Sequence, residues 1–250
     1  MSYISPDQIA KIMELFGQIE PKYNQLLFRF AHRRYGNERA AEYAQHGYSR
    51  RLGTLKRCIE NVFALIAPDM SDVPERNVLY DAQINIQAFY ANVYGSIDNL
   101  AWLWVFERGL EASIPRNRVG FRAKNTELRR TLSDGFRGYL EGLDTWLEYL
   151  IEYRDALAHR IPLYIPPGNV PRKHLDEFNK LERQINEALY VRGDGFEYDR
   201  LRIEQQRLLA FQPLITHSVN ETTGMPIFHA QMLTDFITVE EVGYKMLEEL

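Results

Sequence analysis

The stretch over residues 74–110 constrains this chain more than any other. Ile86, Phe89, Tyr90, Val93, Ile97, Leu100, Ala101 and Trp104 return at spacings of three and four, the period of an α-helix with one apolar face. The same period opens the chain. Ser5-Pro6-Asp7-Gln8 combines an N-cap serine, a proline at the first helical position and a capping-box glutamine, and Ile9, Ile12, Met13, Phe16, Ile19, Tyr23, Leu26, Leu27 and Phe30 follow as one stripe. A shorter helix is predicted over 38–45 and another over 51–67, ended by Pro68. Over 136–158, apolar residues at 136, 140, 143, 147, 150 and 157 keep the 4-3 spacing of a helix packed in a bundle, and Arg154 interrupts that stripe.

Helix propagation must stop near Ile161, because Pro162 disfavours the α conformation before it and Pro166-Pro167-Gly168 follows. A further helix is predicted over 173–192, ended by Gly193-Asp194-Gly195. Residues 208–219 and 225–233 are β-tolerant runs separated by Asn220 to Gly224, which predicts a hairpin, and Thr238 to Glu241 reads as the capping box of a terminal helix. The expected fold is mainly α: long antiparallel helices in a bundle over 1–170, with an extension of helix, small β-hairpin and terminal helix over 171–250 packed on it. At 250 residues and 45% hydrophobic, the chain can bury the core that this requires.

Several function classes are excluded early. The one cysteine, Cys58, permits no intramolecular disulfide and no thiolate cluster, and fits a reducing compartment. The N-terminus lacks a signal-peptide pattern, and no apolar run approaches the ~18 residues of a membrane span, so a cytoplasmic protein without membrane association is expected. A net charge of −4 leaves only a local basic patch to attract nucleic acid. Residues 115–130 form one: Arg116, Arg118, Arg122, Lys124, Arg129 and Arg130 face a single Glu127.

The run with chemical content is Arg154-Asp155-Ala156-Leu157-Ala158-His159. A guanidinium in a core stripe must meet a carboxylate or face a cleft. Asp98 is the expected partner, because Gly95 and Ser96 beside it allow close backbone approach. His159 falls in the last turn of its helix, and Asp155, four residues earlier, can orient its ring. Arg beside an orientable His is the minimum equipment for metal-free RNA cleavage: His moves protons, Arg stabilises the charged phosphorane, and the 2'-hydroxyl is the internal nucleophile.

This pattern resembles the HEPN superfamily, marked by Arg, a polar residue and a His after four to six intervening residues; here these are Arg154, Asp155 and His159. The resemblance covers about residues 1–170. It implies a helical bundle that dimerises so that two motifs share a cleft, and many members are metal-independent endoribonucleases in toxin, antiphage or RNA-processing roles, while others only bind nucleotides or partners. The expected site is therefore Arg154, His159, Asp155 and Asp98, with Arg116, Arg118, Arg122, Lys124 and Arg160 guiding RNA, no metal and no cofactor. The expected partners are a second copy, RNA, and an antitoxin or other protein.

Two alternatives stay open: a non-catalytic dimeric module that binds nucleotides or partners, and a structural helical bundle whose hairpin extension mediates assembly, in which Arg154 and Asp98 pair internally. The remaining candidates carry less. Glu42 and His46 form one i, i+4 surface pair, and His174, His217 and His229 are scattered, although the last two would come opposite each other across the hairpin. Tyr90, Tyr94, Trp102, Trp104, Trp146 and Tyr149 read as core and interface aromatics. Phosphate-binding glycine loops, nucleophile elbows and zinc patterns are all missing.

Overall fold

A computed structural model describes residues 3–218 and 224–250. The first helix, α1 (Pro6–His32), starts at the predicted cap: the Gln8 amide donates to Ser5 Oγ at 3.3 Å and the Ser5 amide to Gln8 Oε1 at 3.0 Å. These bonds satisfy amides that a helix start leaves open, and α1 buries Ile12, Ile19, Leu26 and Phe30. Next, α2 (Glu38–Glu42) passes through a wide π-type turn (Tyr43–Tyr48) directly into α3 (Ser49–Leu65), so the two helices expected here are one continuous rod.

That rod lies along α4 (Arg76–Glu107), the long central helix. Arg51 Nε and Nη1 reach across to Asn99 Oδ1 and Asn92 Oδ1, each at 2.9 Å. A methyl group on Gly95 would collide with this guanidinium. Gly95 therefore seats Arg51, rather than bringing two backbones together near Asp98.

After the one-turn α5 (Thr126–Arg129) come α6 (Asp134–Gly142) and α7 (Asp144–His159). The single helix predicted over 136–158 is broken at Leu143 (φ −98°, ψ 1°). The apolar stripe continues across the break, so periodicity alone does not reveal it. Arg129 sits at the joint: it is buried, pairs with Asp144 and donates from Nε to the Phe121 carbonyl at 2.9 Å.

α8 (Leu175–Asn186) ends in a π-type turn at Gly193, which takes the left-handed φ of 62° that glycine adopts without strain. The following α9 (Gly195–Gln206) is capped by Asp194, whose Oδ1 accepts from the Glu197 amide at 3.0 Å. Together they bury a small cluster, Leu181, Ile185, Ala188 and Leu201, separate from the main core.

The expected β-hairpin is not seen among the described residues. Among the described residues there is no strand, only isolated antiparallel bridges pairing Tyr164 with Thr216, Asn169 with Ala210 and Leu214 with Ile227. Of the predicted turn at 220–224, residues 220–223 lie outside the described residues. The second predicted strand is largely the start of α10 (Phe228–Glu249), because Phe228, Met232, Phe236 and Val239 form a buried helical stripe hidden in a β-tolerant composition. Thr238 is consequently mid-helix rather than a cap, its hydroxyl bonded to the Thr234 carbonyl at 3.0 Å. α10 joins the main core against α1, α3 and α4. Tyr48 OH donates to the Val239 carbonyl at 2.8 Å, and Lys22 pairs with Glu240 at 2.7 Å. No described helix is long and apolar enough to cross a membrane.

Candidate functional site

α7 buries Leu147, Leu150, Tyr153 and Ala156, which puts Arg154 beside the core stripe instead of in it. Its side chain is 44% exposed, its Nη1 bonds Asp155 Oδ1 at 2.7 Å, and its guanidinium lies 5.1 Å from the centre of the Tyr94 ring. The expected Arg154–Asp98 ion pair is not made. Arg154 acts on Asp98 only through space, because the neighbouring carboxylate of Asp155 and the ring of Tyr94 hold it at the surface.

Asp98 and Tyr94 are one turn apart on α4 and line a partly enclosed cavity of about 110 Å³ between α4, α7 and the loop after Pro115. Leu147, Leu150 and Ile151 of α7 form part of its wall, and Asn117, Arg122, Lys124 and Asn125 reach it from the loop. Asp98 makes no hydrogen bond or ion pair among the described residues. Burial pushes its carboxyl up to about 6, with the Arg154 and Arg51 guanidinia pulling partly back. Burial also raises the Tyr94 phenol, reinforced by Asp98 and opposed by Arg154 and Arg122. Tyr94, read from sequence as a core aromatic, thus joins Arg154 to the Asp98 cavity. Its i, i+4 relation to Asp98 is the signal in the sequence that points to this.

The other expected site residues divide into two groups. Arg122 and Lys124 line the cavity with Asp98, and Arg122 Nη2 pairs with Glu148 at 3.1 Å. Outside the lining, Arg116 lies 5.7 Å from the Trp102 ring centre, and Arg118 is exposed while its carbonyl accepts from Asn125 Nδ2 at 2.9 Å. Arg160 follows α7, exposed, with Nη2 on the Glu152 carbonyl at 3.3 Å. His159 is the exposed last residue of α7 and no hydrogen bond joins it to Asp155. The carboxylate expected to orient the imidazole is bound to Arg154 instead.

Among the described residues, no three His, Cys, Asp or Glu side chains gather as a metal ion would need. His229 is not opposite His217 in a hairpin. It is fully buried in the first turn of α10, with Nε2 on the Ile66 carbonyl at 2.7 Å, and burial lowers its pKa to about 4.

Sequence reasoning also misses a buried polar cluster on the Trp146–Tyr149–Tyr153 side of α7. Trp146 Nε1 and Gln231 Nε2 donate to Asp235 Oδ1 at 2.8 and 3.0 Å, Tyr149 and Tyr90 join hydroxyls at 3.0 Å, and burial pushes Asp235 up to about 6. No signal short of the fold places Asp235 against Trp146, since 89 residues separate them.

No protein-family model, characterised protein or solved structure matches the chain.

Proposed function

We propose that this chain is a metal-independent endoribonuclease of HEPN type, acting as a homodimer in which the ends of two α7 helices share one cleft. The observation that carries the reading is the joint exposure of Arg154 and His159 near the end of α7. They lie five positions apart, about 7.5 Å of helix rise. The exposed cations Arg116, Arg118 and Lys124 supply local attraction for a polyanion on a chain of net charge −4.

The step balances without a cofactor. The 2'-hydroxyl oxygen attacks phosphorus and its proton passes to a base, the 5'-oxygen leaves and takes a proton, and the products are a 2',3'-cyclic phosphate and a 5'-hydroxyl. His159, or its copy in the second subunit, moves the protons, and Arg154 stabilises the dianionic phosphorane through its planar fork. Asp155 holds that fork in place. Asp98 is not needed for this step. A toxin or antiphage role, with a protein partner that silences the enzyme, is the setting such an activity fits.

One feature favours the second reading, a dimeric phosphate-binding module without cleavage: Asp155 holds Arg154 and leaves the His159 ring unoriented. Purified protein incubated with mixed RNAs in EDTA separates the two. The ribonuclease reading expects cyclic-phosphate ends from the parent and none from His159→Ala; RNA binding without cleavage selects the module, and a monomer in light scattering at micromolar concentration counts against both.

A further inference from the structure

The cavity behind Tyr94 holds polar groups for which the fold supplies no partner. Asn125 is only 3% exposed; its Nδ2 donates to the Arg118 carbonyl, which settles the orientation of the amide, and its Oδ1 is buried without a hydrogen bond. Arg122 reaches Glu148 through Nη2, yet its Nε–H is also buried without a partner. The Asp98 carboxylate opens into the same cavity, likewise unbonded. Buried polar atoms are seldom left unmatched, because each gives up its hydrogen bonds to water without a replacement. Two in one cavity, beside a half-buried carboxylate that makes no bond, mark a place built to be filled.

The inventory specifies the filler. Asp98 offers two acceptor oxygens, Asn125 a third and Arg122 one donor, while Ile97, Val119, Phe121, Leu147, Leu150 and Ile151 give an apolar enclosure. At about 110 Å³ the space is well below the ~300–1,000 Å³ of a drug-sized site, which limits the occupant to roughly one ring system. A cationic guest such as a guanidinium is disfavoured by Arg122 and Lys124 in the lining. Among the nucleobases, the Watson–Crick edge of guanine alone sets two donors, N1–H and the 2-amino group, side by side with an acceptor, O6, next to them. Adenine and cytosine would turn a lone pair toward Asp98, and uracil a carbonyl.

We infer that this cavity is a guanine-recognition site: Asp98 takes N1–H and one 2-amino hydrogen, Asn125 Oδ1 the other, Arg122 Nε–H donates to O6, and the sugar-phosphate points outward past Lys124. The base comes from a free guanine nucleotide or from a guanine in a bound RNA strand. The second source rests on the ribonuclease reading, which it would extend to cleavage beside guanine, and the first does not.

Calorimetric titration of the full chain with the four ribonucleoside 5'-monophosphates and xanthosine 5'-monophosphate, and with short oligoribonucleotides with and without one guanine, tests the assignment. GMP or the guanine-containing strand is expected to bind at least ~10-fold tighter than its counterparts, the lower end of discrimination by a good bidentate pair. Binding of GMP alone identifies a free nucleotide, and a preference confined to oligonucleotides identifies a strand. Asp98→Asn is expected to remove the guanine preference and favour xanthosine monophosphate, whose C2 carbonyl accepts from the new amide. Equal binding of all bases, absence of binding to both GMP and the guanine-containing strand, or a guanine preference that survives Asp98→Asn overturns it. GMP binding by a chain that cleaves no RNA leaves this site standing and removes the ribonuclease reading alone.

Discussion

Replacing Asp235 by Asn isolates the cost of a charge inside this bundle. Burial raises the Asp235 carboxyl from the ordinary 3.8 to about 6. At ~1.4 kcal/mol for each tenfold change in proton affinity, that is about 3 kcal/mol of pH-linked stability. The folded state holds the proton more tightly than the unfolded chain does. The contribution is therefore complete below pH 3.8 and is lost as pH rises through about 6. In Asp235→Asn the side-chain oxygen still accepts from Trp146 and Gln231, while the new amide N–H group stands where Oδ2 has no partner. That orphan costs ~1–3 kcal/mol at every pH, so the absolute difference between variant and parent is not diagnostic. Its pH dependence is. Urea unfolding at intervals from about pH 3 to 8 is expected to show the variant gaining about 3 kcal/mol on the parent across the window, most of it below about pH 6.5. A difference that stays constant with pH, or that moves the other way, would refute the claim that Asp235 is ionised and buried at neutral pH.

His229→Gln carries the opposite sign: the pKa of the histidine is lowered from 6.5 to about 4, so parent stability from this group is lost as pH falls through that range, and the variant's stability is expected to be flatter by about 3 kcal/mol there. The two linkages overlap and offset in the parent, so only the single variants, compared by the same urea titrations, expose them. Gly95→Ala is expected to cost ~1–3 kcal/mol net, because the ~1 kcal/mol gain in helix propensity is smaller than the loss of the Arg51 bonds to Asn92 and Asn99; adding Arg51→Ala should restore the propensity gain in the same unfolding assay. Arg116→Glu with Arg118→Glu is expected to weaken RNA binding and flatten its dependence on salt, by ~0.7 in the logarithmic slope for each phosphate that is no longer neutralised, read from filter binding over a salt series.

The sequence is legible where local signals agree with the packing. The Ser5–Gln8 cap and the stop at Gly193 are local chemistry and appear where expected. The long period of α4 survives because its neighbours bury the face that the stripe marks. α9 escapes a sequence reading: Asp194 caps it, but its apolar residues form no clean stripe, and it buries only Leu201 and Gln205. The start of α10 is misplaced at Thr238 rather than Phe228, because Ile227, Phe228 and His229 suit a strand as well as a helix, and only burial against α1, α3 and α4 decides. At the site, the short motif locates Arg154, Asp155 and His159 on one helix. It does not reveal that Tyr153 and Ala156 take the core positions and push Arg154 outward. Nor is the cavity legible, since the loop that closes it over Asp98 is held by Arg129 in the joint between α6 and α7, an ion pair that no local pattern announces.

The central claim is cleavage of RNA at the end of α7, and one measurement bears on it most directly: incubation of the purified protein with mixed RNA in EDTA, with His159→Ala run beside it. The account predicts EDTA-resistant cleavage that leaves 2',3'-cyclic phosphate ends, and a fall of at least ~10²-fold in the variant with RNA affinity nearly unchanged. Intact RNA after incubation with folded, dimeric parent, or equal cleavage by parent and His159→Ala, contradicts it.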